Sequence, residues 1–515
     1  MKKFTRTVLP ILIVALFAIQ CKETNVVKWP HGVNYEVFVR SYADSNGDSI
    51  GDFRGLISKL DYLKDLGIGG IWLMPIMPSP SYHKYDVTDY KAVDPQYGTT
   101  EDFVSLVNEA HKRGIRILVD LIVNHTGTSH PWFQQALSGT DNPYRDYYVW
   151  AKKDSIRKQI SKKAISLDSD NLTQWHAVNG DTTAEHYYGF FWGGMPDLNL
   201  DNPKVREEFI SIGRFWLDSM KVDGFRLDAA KHIFPTERAL DNHAFWIWFR
   251  EEMQKIKPDV YLVGEVWSKA EDVAPYLKGL PALFNFDMGY AISAAVAAGK
   301  DSLGLIHRYK SILDYYSSHT SDYIDATFLR NHDQNRILSE LNGDNQKARL
   351  AASILFSLPG TPYVYYGEEI GMLGRKPDEQ IREPFLWKNI EADHDRTRWE
   401  QAVYSTDATV VPLEQQWNDK HSIHQHYKDW ITFRNSSAAL TYGSIEVFDV
   451  GDSRIIGFVR RHQNESLLVF HNLSDNSIAI KVPQEFSEIL FSANGQGSVA
   501  GLEVTLAGNS SVVLK

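Results

Sequence analysis

VDGFRLD, at residues 222–228, is a short apolar run that ends in an arginine and an aspartate. Amphipathic helical patterns lie on both sides of such runs, for example at 101–113, 203–220 and 345–357. Strands that alternate with helices form βαβ units and a parallel sheet, and eight of them predict a closed (β/α)8 TIM barrel of the α/β class. The seven other β-prone runs are 33–39, 68–74, 115–123, 259–266, 282–287, 323–330 and 362–366.

Two regions depart from this alternation. Residues 126–200 are rich in Gly, Asn, Asp, Trp and His and lack a helical period, which predicts an inserted domain after the third strand. From 441 to 515, short β-prone runs separated by polar turns predict a C-terminal antiparallel β-sandwich. We therefore expect the barrel to be formed by residues 30–125 and 201–440.

The N-terminus is typical of an export signal. Three basic residues precede an apolar run at 8–19 that is too short to span a bilayer, so residues 1–21 are expected to be a signal peptide. Cys21, the only cysteine, follows this run and excludes an internal disulfide. Its position resembles the acylated cysteine of bacterial lipoproteins; the alternative is an ordinary signal peptide. The chain is expected to be extracellular, periplasmic or an outer-membrane lipoprotein.

The charge balance narrows the class of partner. The formal net charge is -11, and no basic stripe stands out to bind a phosphate backbone, which argues against nucleic acid. A neutral or small ligand is expected, with membrane contact only through a lipid anchor, and the chain is expected to be a monomer. The 14 Trp and 25 Tyr suit a protein that stacks rings on sugars, although most such residues fill cores.

Charged and polar side chains stand at the ends of several predicted strands. In a parallel barrel these ends meet at one face, where active sites lie. A single acid there is more often a helix cap or turn former. Acids from several strand ends pointing into one cleft indicate a functional site, because clustered like charges destabilise a fold. The residues are Asp120, Asn124, His125, Arg226, Asp228, Glu265, His332 and Asp333.

Five ordered motifs carry a resemblance to a known family. DLIVNH (120–125), GFRLDAAKH (224–232), GEVW (264–267) and FLRNHD (328–333) resemble the four signature regions of glycoside hydrolase family 13, the α-amylase family. MPDLN (195–199) resembles its additional signature. The likeness is strongest to bacterial α-amylases of the branch intermediate between oligo-1,6-glucosidases and neopullulanases. It implies a retaining hydrolase that cleaves internal α-1,4-glucosidic bonds of starch or maltooligosaccharides through a covalent glycosyl-enzyme.

The resemblance also implies a role for each acid. Asp228 would be the nucleophile, Glu265 the general acid and base, and Asp333 a stabiliser of the distorted sugar. Glu265 must be protonated near neutral pH, and we expect ionised Asp228 to raise its pKa while Arg226 keeps Asp228 ionised. The remaining substrate-binding predictions are Tyr85 as a stacking platform, and His125, Lys231, His232 and His332. An isolated histidine of this kind would more often be a satisfied core residue.

Two calcium sites are predicted. DSNGDSIGD (44–52) spaces oxygen ligands as a Ca²⁺ loop does, through Asp44, Asn46, Asp48, the carbonyl of Ile50, and Asp52. It lacks the distal Glu of an EF-hand, and the alternative is a solvated turn. The second site, by resemblance, combines Asn124, Asp197 and the carbonyl of His232 to tie the inserted domain to the barrel; relatives vary in keeping this ion.

The specificity within the family stays open. Lys231 and His232 resemble the pair that contacts leaving-group sugars in endo-acting amylases, whereas REPFLW (382–387) and the 44–52 loop resemble the oligosaccharide-cleaving branch. Arg382 either faces the cleft or forms a structural salt bridge. The alternatives are an oligosaccharide α-glucosidase and an α-glucosyl transferase or trehalose-forming isomerase, which would use the same acids but exclude water. A non-catalytic relative is disfavoured because all three acids are present.

Overall fold

The computed structural model describes residues 27–160, 173–178 and 185–515. The predicted signal peptide, with Cys21, lies outside these residues, as does part of the predicted inserted domain. No helix within the described ranges has the length and apolar character needed to cross a membrane.

Eight parallel strands form a closed barrel, which confirms the predicted TIM-barrel fold. Each strand pairs with its neighbours in chain order, and the last pairs with the first, where Asn34 aligns with Tyr363. The strands are β1 (Val33–Val37), β2 (Ile68–Leu73), β3 (Arg116–Leu121), β4 (Gly224–Leu227), β5 (Tyr261–Gly264), β6 (Ala282–Phe284), β7 (Ile324–Phe328) and β8 (Thr361–Tyr365). β4 and β5 end directly before Asp228 and Glu265, so these side chains lie at the rim.

The barrel strands are buried on both faces, as expected for a parallel sheet with a filled interior and a helical cover. All four residues of β4 and of β5 are buried. Inside the barrel, aromatic rings from several strands pack together, among them Trp72, Phe284, Phe328 and Tyr363. The outer faces pack against the helices in a continuous core. This rigid frame holds the strand ends in fixed relative positions.

The helices agree with the predicted periodicity where it was strongest. The predicted helices 101–113 and 345–357 are Thr100–Lys112, started by a capping box at Thr99, and Asn345–Ser357, capped by Asp344. The predicted 203–220 helix is α-helical over Pro203–Arg214 and continues as a π-helical turn. The others are Val39–Tyr42, Phe53–Ser58, Leu60–Leu66, Pro131–Leu137, Lys153–Ile160, Ala239–Ile256, Ala270–Val273, Phe286–Ala298, Leu305–His319, Ile337–Glu340, Asp378–Ile381, Leu413–Gln416, Ile423–Ser436 and Ala438–Tyr442.

Between β3 and β4 the chain forms a small antiparallel sheet. Glu185–Tyr188 lies in its centre, flanked by Trp150–Lys152 and Trp175–Ala177. A β-bridge between His125 and Asp197 connects the end of this region to the segment that follows β3. The inserted region is thereby held over one side of the barrel rim.

The C-terminal part consists of two antiparallel sheets, as predicted. Apolar side chains from both sheets, such as Phe470 and Val504, pack into one separate core. The five-stranded sheet has the order Ser444–Val447, Ile455–His462, Glu465–Asn472, Ser511–Leu514, Ile489–Ala493, and the three-stranded sheet the order Ile478–Lys481, Glu503–Leu506, Ser498–Ala500.

Candidate active site

A cavity of about 450 Å³ lies at the rim where the barrel strands end. Residues that follow β4, β5 and β7 contribute the three predicted acids to its wall, so residues far apart in the chain meet in one place. The segments after β2 and β3, the inserted region and the long segment after β8 supply the other walls. The lining residues are His83, Tyr85, His125, Phe191, Trp192, Met195, Asp228, Ala229, Glu265, Trp267, Asp333, Lys376, Asp378 and Arg382.

Arg226 lies beneath the cavity and connects its carboxylates. Its Nη1 donates to Asp228 Oδ1 at 2.7 Å and to both oxygens of Asp120 at 3.0 Å. Its Nη2 lies 2.9 Å from Glu265 Oε2. Because β4 alternates its side chains, Arg226 and Asp228 face the same side, as the sequence predicted. One buried guanidinium thus holds the predicted nucleophile and the predicted general acid side by side.

Glu265 has the protonation behaviour expected of a general acid. Burial raises its pKa to about 7; Arg226 opposes this rise, and Asp228 and Asp333 add to it. Desolvation, and not the charge of Asp228 as expected from the sequence, is the main cause, since the carboxyl group is enclosed at the base of the cavity. Burial likewise raises the pKa of Asp120 to about 7 against the effect of Arg226.

The residue that follows Asp228 has an unusual backbone conformation. Ala229 has φ +48°, in the left-handed region that a residue with a Cβ rarely adopts. Its amide nitrogen donates to Glu265 Oε2 at 3.3 Å. Such strain persists only where the surrounding structure enforces it, and it is found preferentially at functional sites.

Asp333 is held by two cationic groups. Arg382 Nη2 donates to its Oδ1 at 2.9 Å, and His332 Nε2 lies 3.1 Å from its Oδ2. Burial works to raise the pKa of Asp333, but the attraction of His332 and Arg382 holds it well below its ordinary value. Arg382 also donates to Asp378 at 3.0 Å. It therefore combines the two roles that the sequence left open, because it lines the cavity and forms ion pairs.

Tyr85 lies in the cavity wall, parallel to the ring of His332. The ring planes are inclined by 15°, the centroids are 5.6 Å apart, and the tyrosine hydroxyl lies 2.6 Å from His332 Nε2. The preceding residue, Lys84, has φ +64° and a buried side chain whose Nζ binds Asp94 Oδ2 at 2.6 Å. The lysine thus takes a conformation that suits a small residue, and its ion pair fixes the loop from below.

The remaining predicted substrate residues divide into two groups. His125 lines the cavity, and burial lowers its pKa to about 4, so it is neutral. Lys231 and His232 are not among the lining residues. Lys231 Nζ donates to the carbonyl of Trp267 at 2.6 Å, and the His232 ring stacks on Phe190 with centroids 3.9 Å apart. Their contact with leaving-group sugars stays a prediction.

The predicted calcium loop carries oxygen donors, the ligand type that Ca²⁺ prefers, and its carboxylates accept hydrogen bonds from amides of the loop itself. Asp44 accepts from the amides of Gly47 and Ser49 at 2.7 and 2.8 Å, and Asp48 accepts from the amide of Ile50 at 2.8 Å. Asp52 accepts from Ser45 at 2.8 Å. Over the described ranges, no three His, Cys, Asp or Glu side chains are arranged to hold a metal. The donor chemistry fits calcium, and the ion itself stays a prediction.

At the second predicted calcium site the three groups do meet. Asn124 Nδ2 donates to the carbonyl of His232 at 2.6 Å and to Asp197 Oδ2 at 3.4 Å. Direct hydrogen bonds therefore already join the end of β3, the inserted region and the segment after β4. These bonds attach the inserted region to the barrel, and the calcium ion expected at this site stays a prediction.

Several residues at the cavity were not found from the sequence. Trp192, 52% exposed, and Trp267 present indole rings to the cavity, and Lys376 and Asp378 come from the segment after β8. These residues lie in regions without a repeating pattern, where periodicity gives no signal. Glu36 is buried in β1 against His332, and a charge inside the apolar run 33–39 was a signal that could have revealed it.

Comparison with known proteins gives consistent matches. The family model for the α-amylase catalytic domain matches residues 36–443, and that for the SusG C-terminal domain of α-amylases matches 455–513. "Alpha-amylase 3" of Dictyoglomus thermophilum is 42% identical over 95% of both chains. The 4-α-glucanotransferase of Thermotoga maritima is 34% identical over 87% of this chain and 97% of its own. The crystal structure of the α-amylase from H. orenii has a TM-score of 0.86 at 45% identity, covering 94% of this chain and 99% of that one.

Proposed function

The chain belongs to the α-amylase family of glycoside hydrolases, and from this premise we propose that it is a retaining enzyme that cleaves internal α-1,4-glucosidic bonds of starch or maltooligosaccharides. The observation that carries the proposal is the meeting of Asp228, Glu265 and Asp333 in one cavity, with Arg226 bound to the first two. Retaining enzymes place the nucleophile and the acid close together, at about 5–5.5 Å.

In the proposed first step, a carboxylate oxygen of Asp228 attacks the anomeric carbon. Glu265 gives its proton to the glycosidic oxygen as the bond between that oxygen and the anomeric carbon breaks. The products are a glycosyl ester on Asp228 and a free sugar chain. A pKa of about 7 leaves a large fraction of Glu265 protonated at neutral pH, which this step requires.

In the second step, ionised Glu265 takes a proton from water, whose oxygen attacks the anomeric carbon and releases Asp228. Asp333 would bind sugar hydroxyls throughout, because His332 and Arg382 keep it ionised and oriented. Tyr85 would offer its ring face to the same sugar, and His125 its neutral ring.

An α-glucosyl transferase is the second candidate, favoured by the likeness to a 4-α-glucanotransferase. It would pass the glycosyl group to a sugar hydroxyl in place of water. Incubation with maltoheptaose separates the two, since hydrolysis gives shorter maltooligosaccharides and transfer also gives longer chains. A separate incubation with maltose tests the isomerase, since trehalose, an isomer of maltose, as the main product would indicate that activity.

An oligosaccharide α-glucosidase is the third possibility, and the position of cleavage tests it. We expect the enzyme to hydrolyse maltoheptaose whose non-reducing end is blocked by an ethylidene group, because an internal bond remains accessible. An exo-acting glucosidase would leave this substrate intact. Proton NMR of the first products is expected to show the α-anomer, and an initial β-anomer would contradict retention.

We also propose that calcium binds the loop at 44–52, on the basis of its oxygen donors. Removal of the ion by EDTA is then expected to lower Tm, and added CaCl₂ to restore it, because a ligand bound only to the folded state stabilises it. Asp48→Asn should reduce the effect of EDTA. An unchanged Tm after EDTA treatment would contradict the proposal.

We propose, finally, that the protein is exported and anchored through Cys21. The support is the basic and apolar N-terminal pattern in front of the only cysteine. Labelling of cells with radioactive palmitate should mark the wild-type chain and leave Cys21→Ala unlabelled. A wild-type chain without label would mean that the segment is an ordinary signal peptide or is retained.

A further inference from the structure

The first barrel strand carries an acidic side chain that the proposed reaction does not use. Glu36 lies in β1 and is only 2% exposed, and its Oε1 is 2.5 Å from Nδ1 of His332. His332 is itself fully buried below the cavity, so neither group is bound to bulk water. A carboxylate enclosed in a barrel wall is unfavourable unless a hydrogen-bonded partner compensates it.

The second nitrogen of the His332 ring also faces an acceptor. Nε2 lies 3.1 Å from Asp333 Oδ2 and 2.6 Å from the hydroxyl of Tyr85. That hydroxyl donates its proton to Asp120 Oδ2 at 3.2 Å, which leaves its oxygen to accept from His332. A neutral imidazole has only one N–H, whereas this ring has a carboxylate on each side and needs two.

We propose that Glu36 is a positioning residue for the reaction: it holds His332 in the doubly protonated form and in the orientation that presents Nε2 to Asp333 and Tyr85. The inference rests on the proposed function, because it deepens the account of the same site. Glu36 has no contact with the cavity and would act only through His332.

The charges around His332 support a cationic ring. Burial alone would lower its pKa, but Asp333 and Glu36 raise it to about 9. Asp120, on β3, is linked to the ring through Tyr85, and burial raises its own pKa to about 7. Among the cations, Arg226 is bound to Asp120, and Arg382 donates to the main-chain carbonyl of His332 at 2.9 Å. The edge of Trp72 covers another side of the ring, with centroids 5.5 Å apart.

The consequence for the reaction follows from Asp333. Two N–H groups fix the ring between two carboxylates, so Nε2 supports the ionised form of Asp333 and stays at a constant position beside the sugar. With Gln in place of Glu36, the side-chain amide can donate to an unprotonated Nδ1, and a neutral ring keeps its single N–H on Nε2. Asp333 would then lose the positive charge that supports its ionised form. Glu36 therefore sets the position of Asp333 from the opposite side of the histidine.

The protonation state can be measured in the wild-type chain without any assay of activity. NMR of histidine labelled at the ring carbon gives a titration for each of the 18 histidines, and His332→Gln assigns one signal. We expect the His332 signal to stay in the protonated form well above the ordinary pKa of about 6.5. Titration at or below that value would overturn the proposal, whatever the variants show.

Glu36→Gln tests the effect on the reaction. In the wild type, loss of the Glu265 proton is expected to set the alkaline limb of kcat/KM. In the variant, His332 should lose its proton before Glu265 does, so the alkaline limb of kcat/KM should move to lower pH by about one unit or more. The value of kcat should fall at least about 10-fold, with a smaller change in KM. Glu36→Asp keeps the negative charge, so it should retain part of the wild-type kcat and part of the wild-type position of the alkaline limb.

Glu369→Gln is the matched control, since Glu369 is an equally buried glutamate that accepts from Tyr35 and Tyr62 and does not contact the site. It should leave the pH profile unchanged.

A Glu36→Gln enzyme with the wild-type profile and the wild-type His332 titration would refute the proposal. Failure of the proposed function would appear differently, as retained activity in Asp228→Asn or Glu265→Gln, with no bearing on the NMR result.

Discussion

Two groups of buried carboxylates in this molecule have opposite surroundings. At the cavity, Asp228, Glu265 and Asp333 lie against guanidinium groups of Arg226 and Arg382. After β8, by contrast, Glu368 and Glu369 accept from tyrosine hydroxyls. Tyr427 donates to Glu368 at 2.9 Å, and Tyr35 and Tyr62 donate to Glu369 at 2.6 Å. Asp228 and Glu265 are buried to a similar degree as Glu368 and Glu369, and Asp333 is partly exposed, so for the buried acids the difference lies in the donors.

The comparison shows what a buried acid needs in order to react. Burial raises the pKa of Glu368 to about 8 and also raises the pKa of Glu369. With hydroxyl donors, Glu368 keeps its proton at neutral pH and serves as a neutral hydrogen-bonding group. At the cavity, the cations lower the energy of the charged forms, and carboxylates become available as nucleophile and base. We therefore expect a catalytic role for the carboxylates at the cavity and none for Glu368 and Glu369.

The largest expected effect is on turnover. Asp228→Asn and Glu265→Gln should each reduce kcat by about 10³-fold or more, because each removes a group that forms or breaks a bond. Glu368→Gln, an equally conservative change in the other group, should leave kcat nearly unchanged. Steady-state rates on maltoheptaose, with circular dichroism to confirm folding, would test this. A near wild-type rate in Asp228→Asn or Glu265→Gln would show that the cavity carboxylates are no more important for turnover than those after β8.

A second effect concerns stability. Arg226→Met leaves three buried acids without their shared cation and should lower the free energy of unfolding by about 3–5 kcal/mol. The loss should be smaller at low pH, where the acids can take up protons. Arg308→Met, which breaks an exposed pair with Asp287, should cost about 1 kcal/mol or less. Equal losses in the two variants, measured by urea denaturation, would contradict this account.

The smallest effect is the pH dependence that Glu368 confers. The folded chain holds this proton up to about pH 8, whereas the unfolded chain releases it near the ordinary value of 4.5. Between these limits the folded state binds more protons, so stability falls as pH rises. Glu368→Gln should therefore raise Tm relative to the wild type by a few degrees at about pH 8 and by less at about pH 5. A constant difference across this range would argue that Glu368 is ionised in the folded chain.

Much of the architecture could be predicted because it is encoded locally. All eight barrel strands overlap the predicted runs, and the helix at Asn345–Ser357 has the predicted bounds, since burial on both faces and helical periodicity leave a direct pattern in the sequence. The acids at 228 and 265 could be located for the same reason, because each directly follows a recognisable strand, and Asp333 lies five positions after the end of β7.

The rest depends on contacts between distant residues. Glu36 and His332 are 296 positions apart, and no local pattern shows that β1 and the end of β7 face each other with these side chains. The cause of the raised pKa of Glu265 was also beyond the sequence, because desolvation depends on how deeply a group is enclosed. At Lys84 the sequence does show an unexpected residue type, and the structure shows that an ion pair with Asp94 accommodates it.

The closure of the barrel has a consequence for the order in which the protein is made. Because β1 pairs with β8 as well as with β2, one of its edges has no partner until residue 365 has left the ribosome. An open strand edge can pair with other chains. Catalytic competence would then arrive in one late event during synthesis, since Asp333 and its partner Arg382 also emerge close to that point. A nascent chain stopped before β8 would have Asp228, Glu265 and Asp333 but would lack Arg382 and a closed barrel, and it is expected to be inert.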